Sequence, residues 1–112
     1  MEILNIGTDI VENKRLDNLN LIKRFLSIEE FSLFENIKDK NEALNFAAGR
    51  FAAKEAIIKT FNKKINFSNI KILNDNNGKP IIFFNDKLTK NLLLSISHEK
   101  KYTIAFTILL KN

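Results

Sequence analysis

Between Phe61 and Ile70 the spacing of apolar residues changes from helical to alternating, and that one change restricts the folds open to this chain. Before it, a stretch from about Asp39, with Glu42 three residues on, to about Phe61 reads as one long helix. Its stripe is Leu44, Ala48, Phe51, Glu55, Ile58 and Asn62, flanked by Ala47 and Ala52. After it, residues 70–73, 80–84, 92–97 and 102–110 read as strands. Turn chemistry at 75–78 and a short connection at 98–101 separate them. Ahead of the long helix, residues 2–11 alternate, with Leu4, Ile6 and Ile10 on one face and Asn5, Gly7 and Asp9 on the other, the pattern of a strand. Residues 14–25 carry apolar side chains at helical spacing, and Ser27 with Glu30 forms a capping-box pattern that starts a short helix to about Asn36. The order is an N-terminal strand, two to three helices including a long one, then an antiparallel sheet, which is the α+β class. With 112 residues and no linker, repeat or low-complexity tract, one domain spanning 1–112 is expected.

Composition removes several chemistries. There is no Cys, so disulfides, zinc–thiolate sites, iron–sulfur clusters and cysteine nucleophiles are excluded. No apolar run approaches the ~20 residues of a membrane span and no signal-peptide pattern opens the chain, so a cytoplasmic protein is expected. The formal net charge of +5 suits an anionic partner: nucleic acid, an acidic protein or a phosphorylated small molecule.

The candidate chemistry begins with two carboxylates in apolar settings. Glu55 lies on the stripe of the long helix, where a buried unpaired charge costs several kcal/mol and needs a cation, a hydrogen-bond network or solvent; Lys59, at i+4, is placed to pair with it. Asp9 sits inside an apolar strand, two residues after Gly7 on the same face, which leaves an approach beside the carboxylate. Two carboxylates without Cys and with one His suit a hard divalent cation such as Mg²⁺, whose shell is completed by water and substrate phosphates. Phosphoryl-type chemistry is the expectation. His98 ends a strand on the face of Leu94 and Ile96, while Ser95 and Ser97 project oppositely. Lys79 places a cation at a tight turn beside Pro80. The chain's three Arg, at 15, 24 and 50, are better bidentate phosphate or carboxylate binders than its Lys. Lys14, Arg15, Lys23 and Arg24 make the first helical region a basic patch.

Together these segments resemble the holo-[acyl-carrier-protein] synthase family of 4′-phosphopantetheinyl transferases. The residues that carry the resemblance are Ile6-Gly-Thr-Asp-Ile-Val-Glu12, Ala48-Gly-Arg-Phe-Ala-Ala-Lys-Glu-Ala56 with Lys59, Asn77-Gly-Lys-Pro80, and Leu94-Ser-Ile-Ser-His98 with Tyr102 and Ala105. They occur in the family's order and cover nearly the whole chain. The resemblance implies Mg²⁺-dependent transfer of 4′-phosphopantetheine from coenzyme A to a serine of an apo-acyl carrier protein, releasing adenosine 3′,5′-bisphosphate. It implies Asp9 and Glu55 as metal ligands, Lys59 as a stabiliser of charge on the phosphate oxygens, and a metal-associated water or Glu55 as proton acceptor. Arg50, Lys79, Pro80, Ser95, Ser97 and His98 match positions around coenzyme A. Lys14, Arg15, Lys23 and Arg24 would dock the acidic carrier protein, and a homotrimer with active sites between subunits is the expected assembly. Many relatives carry a Gly-rich connection after the long helix; residues 61–67 here contain no Gly. A second reading, a small basic nucleic-acid-binding module, draws on the charge and ten Phe, but most Phe fall at core positions.

Overall fold

The computed structural model describes residues 2–112. Strand β1 (Ile3–Glu12) is followed by a 3₁₀ turn (Asn13–Leu16) and helices α1 (Leu19–Phe25), α2 (Ile28–Glu35) and α3 (Lys40–Phe61). A second 3₁₀ turn (Phe67–Asn69) leads into strands β2 (Ile70–Asn74), β3 (Pro80–Phe84), β4 (Lys87–Thr89), β5 (Leu92–His98) and β6 (Tyr102–Leu110). The strands form two antiparallel three-stranded sheets, in the orders β1-β6-β5 and β2-β3-β4. The α+β order expected from the sequence is the order observed, with the C-terminal strands divided between two sheets.

Local chemistry explains most boundaries. Ser27 accepts from the Glu30 amide while Glu30 accepts from the Ser27 amide, the reciprocal capping box expected for α2. The Asp39 carboxylate accepts from the Glu42 amide and starts α3. At the other end of α3, Asn62 takes the left-handed conformation (φ 52°, ψ 42°), doing in the Gly-free connection what glycine commonly does at a helix end. The continuous helix expected over 14–25 is broken: Asn18 leaves helical geometry to cap α1, accepting from the Leu21 amide. A three-residue strand, β4, was not legible either. Its turn is Asn85–Asp86, both with positive φ and neither a glycine.

α3 lies across the inner face of the β1-β6-β5 sheet on a floor of alanines. Ala47, Ala48, Ala52, Ala53 and Ala56 are fully buried, with Ile57 and Thr60 alongside. The buried face is therefore rotated from the stripe read from the sequence. Leu44, Phe51, Glu55 and Ile58 sit half-buried on its flank and Asn62 is exposed. Small side chains cost no rotamer entropy and let the helix approach the strands closely. Closest is Gly7, where an added Cβ would stand 2.2 Å from the Ala56 carbonyl oxygen and 2.2 Å from Thr60 Oγ1. Thr60 and Thr107 share a short hydrogen bond there, and Thr60 also donates to the Ala56 carbonyl. On the other side of α3, Phe25, Phe51 and Phe67 meet edge to face, with centroids 5.1–6.5 Å apart. These rings fill the core, so they offer no stacking platform.

β1 alternates as its sequence indicates, but the face that packs against α3 is the polar one: Gly7, Asp9 and Val11. Leu4, Ile6 and Ile10 point outward and are 53–59% exposed. Register places Ile10 opposite Ile104, Thr8 opposite Phe106 and Ile6 opposite Ile108, so the outer face of this sheet carries an apolar patch over β1 and β6, interrupted by Thr8 and, on β5, by Ser95 and Ser97. Among the described residues, no helix is long and apolar enough to cross a membrane.

Candidate active site

The close approach of α3 to β1 determines what meets at the sheet's edge. Thr60 and Ala56 pack on Gly7, which brings Glu55 and Lys59, one residue before each, to Asp9, two residues beyond Gly7. Lys59 does not pair with Glu55. Its ammonium donates to the Thr8 carbonyl oxygen (2.9 Å) and lies 3.3 Å from Asp9 Oδ1. The Glu55 carboxylate accepts no hydrogen bond among the described residues. Half-burial, then the charge of Asp9, hold its pKa above the ordinary carboxylate value, with Lys59 opposing weakly. The site thus sets two carboxylates against one cation.

That arrangement tests the expected Mg²⁺. The donor set is all oxygen, and two carboxylates that repel each other in an accessible site gain from a shared divalent ion. Asp9 and Glu55 fit a cation that keeps waters or takes phosphate oxygens as its remaining ligands; among the described residues there is no cluster of three or more His, Asp or Glu to complete a protein cage.

A second feature lies toward the start of α3. A cavity of about 320 Å³ is lined by Asn45, Phe46, Gly49 and Arg50 of α3, by Asn74, Gly78 and Pro80 of the β2–β3 hairpin, and by Leu94, Ser95, Ile96 and His98 of β5. It is at the small end of ligand sites, suiting part of a larger molecule. Arg50, Pro80 and His98 are therefore brought together, and Ser95 borders the cavity although register points its side chain, like that of Ser97, to the outer face with Phe106. Lys79 is exposed on the turn, its amide held by Asp75 Oδ1, and Ser97 is on the outer sheet face; neither lines this cavity. The Arg50 guanidinium is largely committed inward. It donates to the Ile72 carbonyl (3.2 Å) and Asn74 Oδ1 (2.7 Å) and lies 4.2 Å over the Phe46 ring. A larger apolar cavity of about 760 Å³ beneath α2, lined by Ile28, Leu33, Ile37, Phe46 and Leu73, contains none of the titratable candidates.

The basic patch falls on two elements because the first helical region is broken. Lys14 and Arg15 are on the 3₁₀ turn, Lys23 and Arg24 on the last turn of α1, and all four are exposed and outside any ion pair among the described residues.

Sequence reasoning missed the partners of Glu30. Beyond its cap, Glu30 is fully buried, with Oε1 2.6 Å from Lys54 Nζ and Oε2 accepting from the Ile72 amide. Lys54 also donates to the Phe25 and Phe67 carbonyls. The only signal was Lys54 itself, a cation flanked by alanines on the buried side of α3.

The family model of the 4′-phosphopantetheinyl transferase superfamily matches residues 5–107, which include every residue of the carboxylate site and of the cavity. The chain belongs to the 4′-phosphopantetheinyl transferase superfamily. Within that superfamily, a holo-[acyl-carrier-protein] synthase of Pelagibacter ubique is 43% identical, over 99% of this chain and 99% of the relative. One from Mycoplasma capricolum is 45% identical over 95% and 94%. Among solved structures, a holo-(acyl-carrier-protein) synthase from Bacillus anthracis in complex with CoA (3′,5′-ADP) superposes with a TM-score of 0.88 at 32% identity, covering both chains completely. The superfamily assignment and the fold likeness agree with the resemblance read from the motifs.

Proposed function

We propose that this enzyme, a phosphopantetheinyl transferase by family, transfers 4′-phosphopantetheine from coenzyme A to a serine hydroxyl of an apo-acyl carrier protein. The new bond joins the serine oxygen to the pantetheine-side phosphorus; the pyrophosphate bond breaks, and adenosine 3′,5′-bisphosphate leaves. The observation that carries this reading is the Asp9–Glu55 pair with Lys59 on Asp9, a negatively charged, accessible site on the family's own motif. Asp9 and Glu55 are the residues that would hold Mg²⁺, which supplies charge neutralisation on the phosphate oxygens. Lys59 is positioned to stabilise charge on the transferred group. A metal-associated water or Glu55 would take up the serine proton.

The cavity at Arg50, Pro80, Ser95 and His98 suits the nucleotide end of coenzyme A, with Lys79 and Ser97 at its margin. The exposed Lys14, Arg15, Lys23 and Arg24 suit an acidic carrier protein, which they would steer electrostatically and less effectively in salt. The apolar patch on the outer face of β1-β6-β5 favours self-association, and the homotrimer implied by the resemblance would cover it. Residues 1–112 act as one transferase domain.

The test is incubation with coenzyme A, Mg²⁺ and an apo-carrier protein, read by mass as the gain of one phosphopantetheine. Asp9→Ala and Glu55→Ala are each expected to lower turnover more than ~100-fold, beyond the effect of outer-shell changes at metal sites, with far-UV circular dichroism unchanged. Near-normal turnover in either variant overturns the site assignment. Phe106→Asp on the outer face should give a smaller species by light scattering; an unchanged mass rejects that face as the contact.

A further inference from the structure

β2 is an edge strand of its sheet, and at Ile72 the free edge is closed by side chains. A neighbouring strand would have supplied one acceptor and one donor there. Instead Glu30 Oε2 accepts from the Ile72 amide (2.9 Å) and Arg50 Nε donates to the Ile72 carbonyl oxygen (3.2 Å). Asn74, two residues on, takes the next contact. Its Oδ1 lies 2.7 Å from Arg50 Nη2, and its Nδ2 lies 2.9 Å from the Gly78 carbonyl oxygen in the turn that follows.

These contacts fix both planar groups. The Gly78 carbonyl can only accept, so the nitrogen of the Asn74 amide faces it and the oxygen faces Arg50. The Arg50 guanidinium has its Nε–Nη2 edge held by two oxygens and its centre 4.2 Å over the Phe46 ring. Nη1 makes no hydrogen bond among the described residues. No buried side-chain nitrogen or oxygen among them lacks a partner, so Nη1 is open to solvent although Arg50 as a whole is 6% exposed. Arg50 lines the cavity between α3, the β2–β3 hairpin and β5, and Nη1 is its free donor there.

We infer that Asn74 is a positioning residue: it holds the Nη2 corner of Arg50, so that Nη1 stands as a fixed, charged donor to an acceptor atom of the ligand in that cavity. Without Asn74, turning the guanidinium about its Nε–Cζ bond exchanges Nη1 with Nη2 while Nε stays on Ile72, and the donor loses its direction. Asn74 also lines the cavity, but its oxygen and nitrogen are engaged with Arg50 and Gly78, so it acts through Arg50. Only the ligand's identity as coenzyme A rests on the transferase reading; the orientation of Arg50 does not.

Arg15 and Arg24, the other two Arg of the chain, are exposed. Guanidinium ¹⁵N exchange spectra without ligand should therefore show slow exchange of Nη1 with Nη2 for Arg50 alone. Asn74→Leu should speed that exchange about 10-fold, the effect of losing a hydrogen bond to a charged group. Asn74→Asp, which keeps the acceptor, should restore the slow exchange. Exchange in wild-type Arg50 as fast as in Arg15 and Arg24, or unchanged in Asn74→Leu, overturns the proposal; the wild-type spectrum decides even if Asn74→Leu does not fold. In transfer assays, Asn74→Leu should raise KM for coenzyme A about 10-fold with kcat little changed, and Asn74→Asp should recover most of that loss. An unchanged KM beside faster exchange overturns the ligand contact. In an Arg50→Met background, Asn74→Leu should raise KM no further. A second increase of similar size would mean that Asn74 meets the ligand itself, and overturns the positioning role. An absence of transfer by wild type with slow Arg50 exchange would count against the transferase reading alone.

Discussion

α3 carries two charge clusters, and they are built on opposite principles. Around Lys54, one carboxylate meets two cations in full burial: Glu30 accepts from Lys54, from the Ser27 and Ile72 amides, and has Arg50 Nε at 3.9 Å. Around Lys59, two carboxylates meet one cation at the surface, and Glu55 has no hydrogen-bond donor among the described residues. The first cluster is closed. It ties α2, α3 and β2 together and leaves its carboxylate nothing for a ligand to satisfy. The second is open and short of positive charge, which is the condition in which an added cation or a phosphate-bearing complex binds favourably. Charge alone does not separate a structural cluster from a chemical one; the balance of donors and the access of solvent do.

Variants at the paired lysines should separate the two most sharply. Lys54→Met strands a buried carboxylate and is expected to cost ~3–5 kcal/mol in urea unfolding; a loss below ~1 kcal/mol would erase the distinction. Lys59→Met removes a side chain that is 56% exposed, so unfolding should change by less than ~1 kcal/mol. Transfer should nevertheless fall by ~100-fold, as when one preorganised donor is lost from a charge-stabilising site. Gly7→Ala should act on both scales. The added methyl has no room against the Ala56 carbonyl, so ~1–3 kcal/mol of stability is lost, and transfer drops because Asp9 moves away from Glu55. Retained activity in a destabilised Gly7→Ala would show that the separation of helix and strand does not set the site.

The smallest effect is the most specific. Because the folded protein raises the Glu55 pKa, its protonated form is favoured on folding: the contribution is complete below the ordinary value of 4.5 and is lost as pH rises through the higher folded value. Glu55→Gln should therefore stabilise the metal-free protein at pH 7, by less than ~1 kcal/mol given its contact with solvent, and the advantage should vanish below pH 4.5 in thermal melts. A destabilised Glu55→Gln at pH 7 would mean the carboxylate is satisfied after all.

What the sequence revealed followed from short-range chemistry. Ser27 with Glu30, Asp39 with Glu42, and the 75–78 turn mark element ends through contacts within four residues. Asp9 and Glu55 were conspicuous as charges in apolar patterns. What stayed hidden depended on distant partners. Glu30 looked like a cap alone because Lys54 and the Ile72 amide are far along the chain, and Asn13 drew no notice because the Thr103 hydroxyl that donates to it lies near the far end of the sequence. The outward Leu4, Ile6 and Ile10 invert the usual meaning of an alternating strand. Only the packing of Gly7 under α3 shows which face is inside.

The register of β1 against β6 has a kinetic consequence. Asp9 lies opposite Ala105, so the strand that bears it is held by β6, central in the sheet and far from β1 along the chain. Closing a loop of roughly 100 residues costs about 4 kcal/mol of chain entropy, whereas α3 and the β5–β6 hairpin close over short spans. Nucleation should therefore begin in the helix and hairpins, with β1 docking late. In refolding of this chain, the Asp9 carboxylate is thus expected to reach Glu55 and Lys59 only after the helix and hairpins have formed.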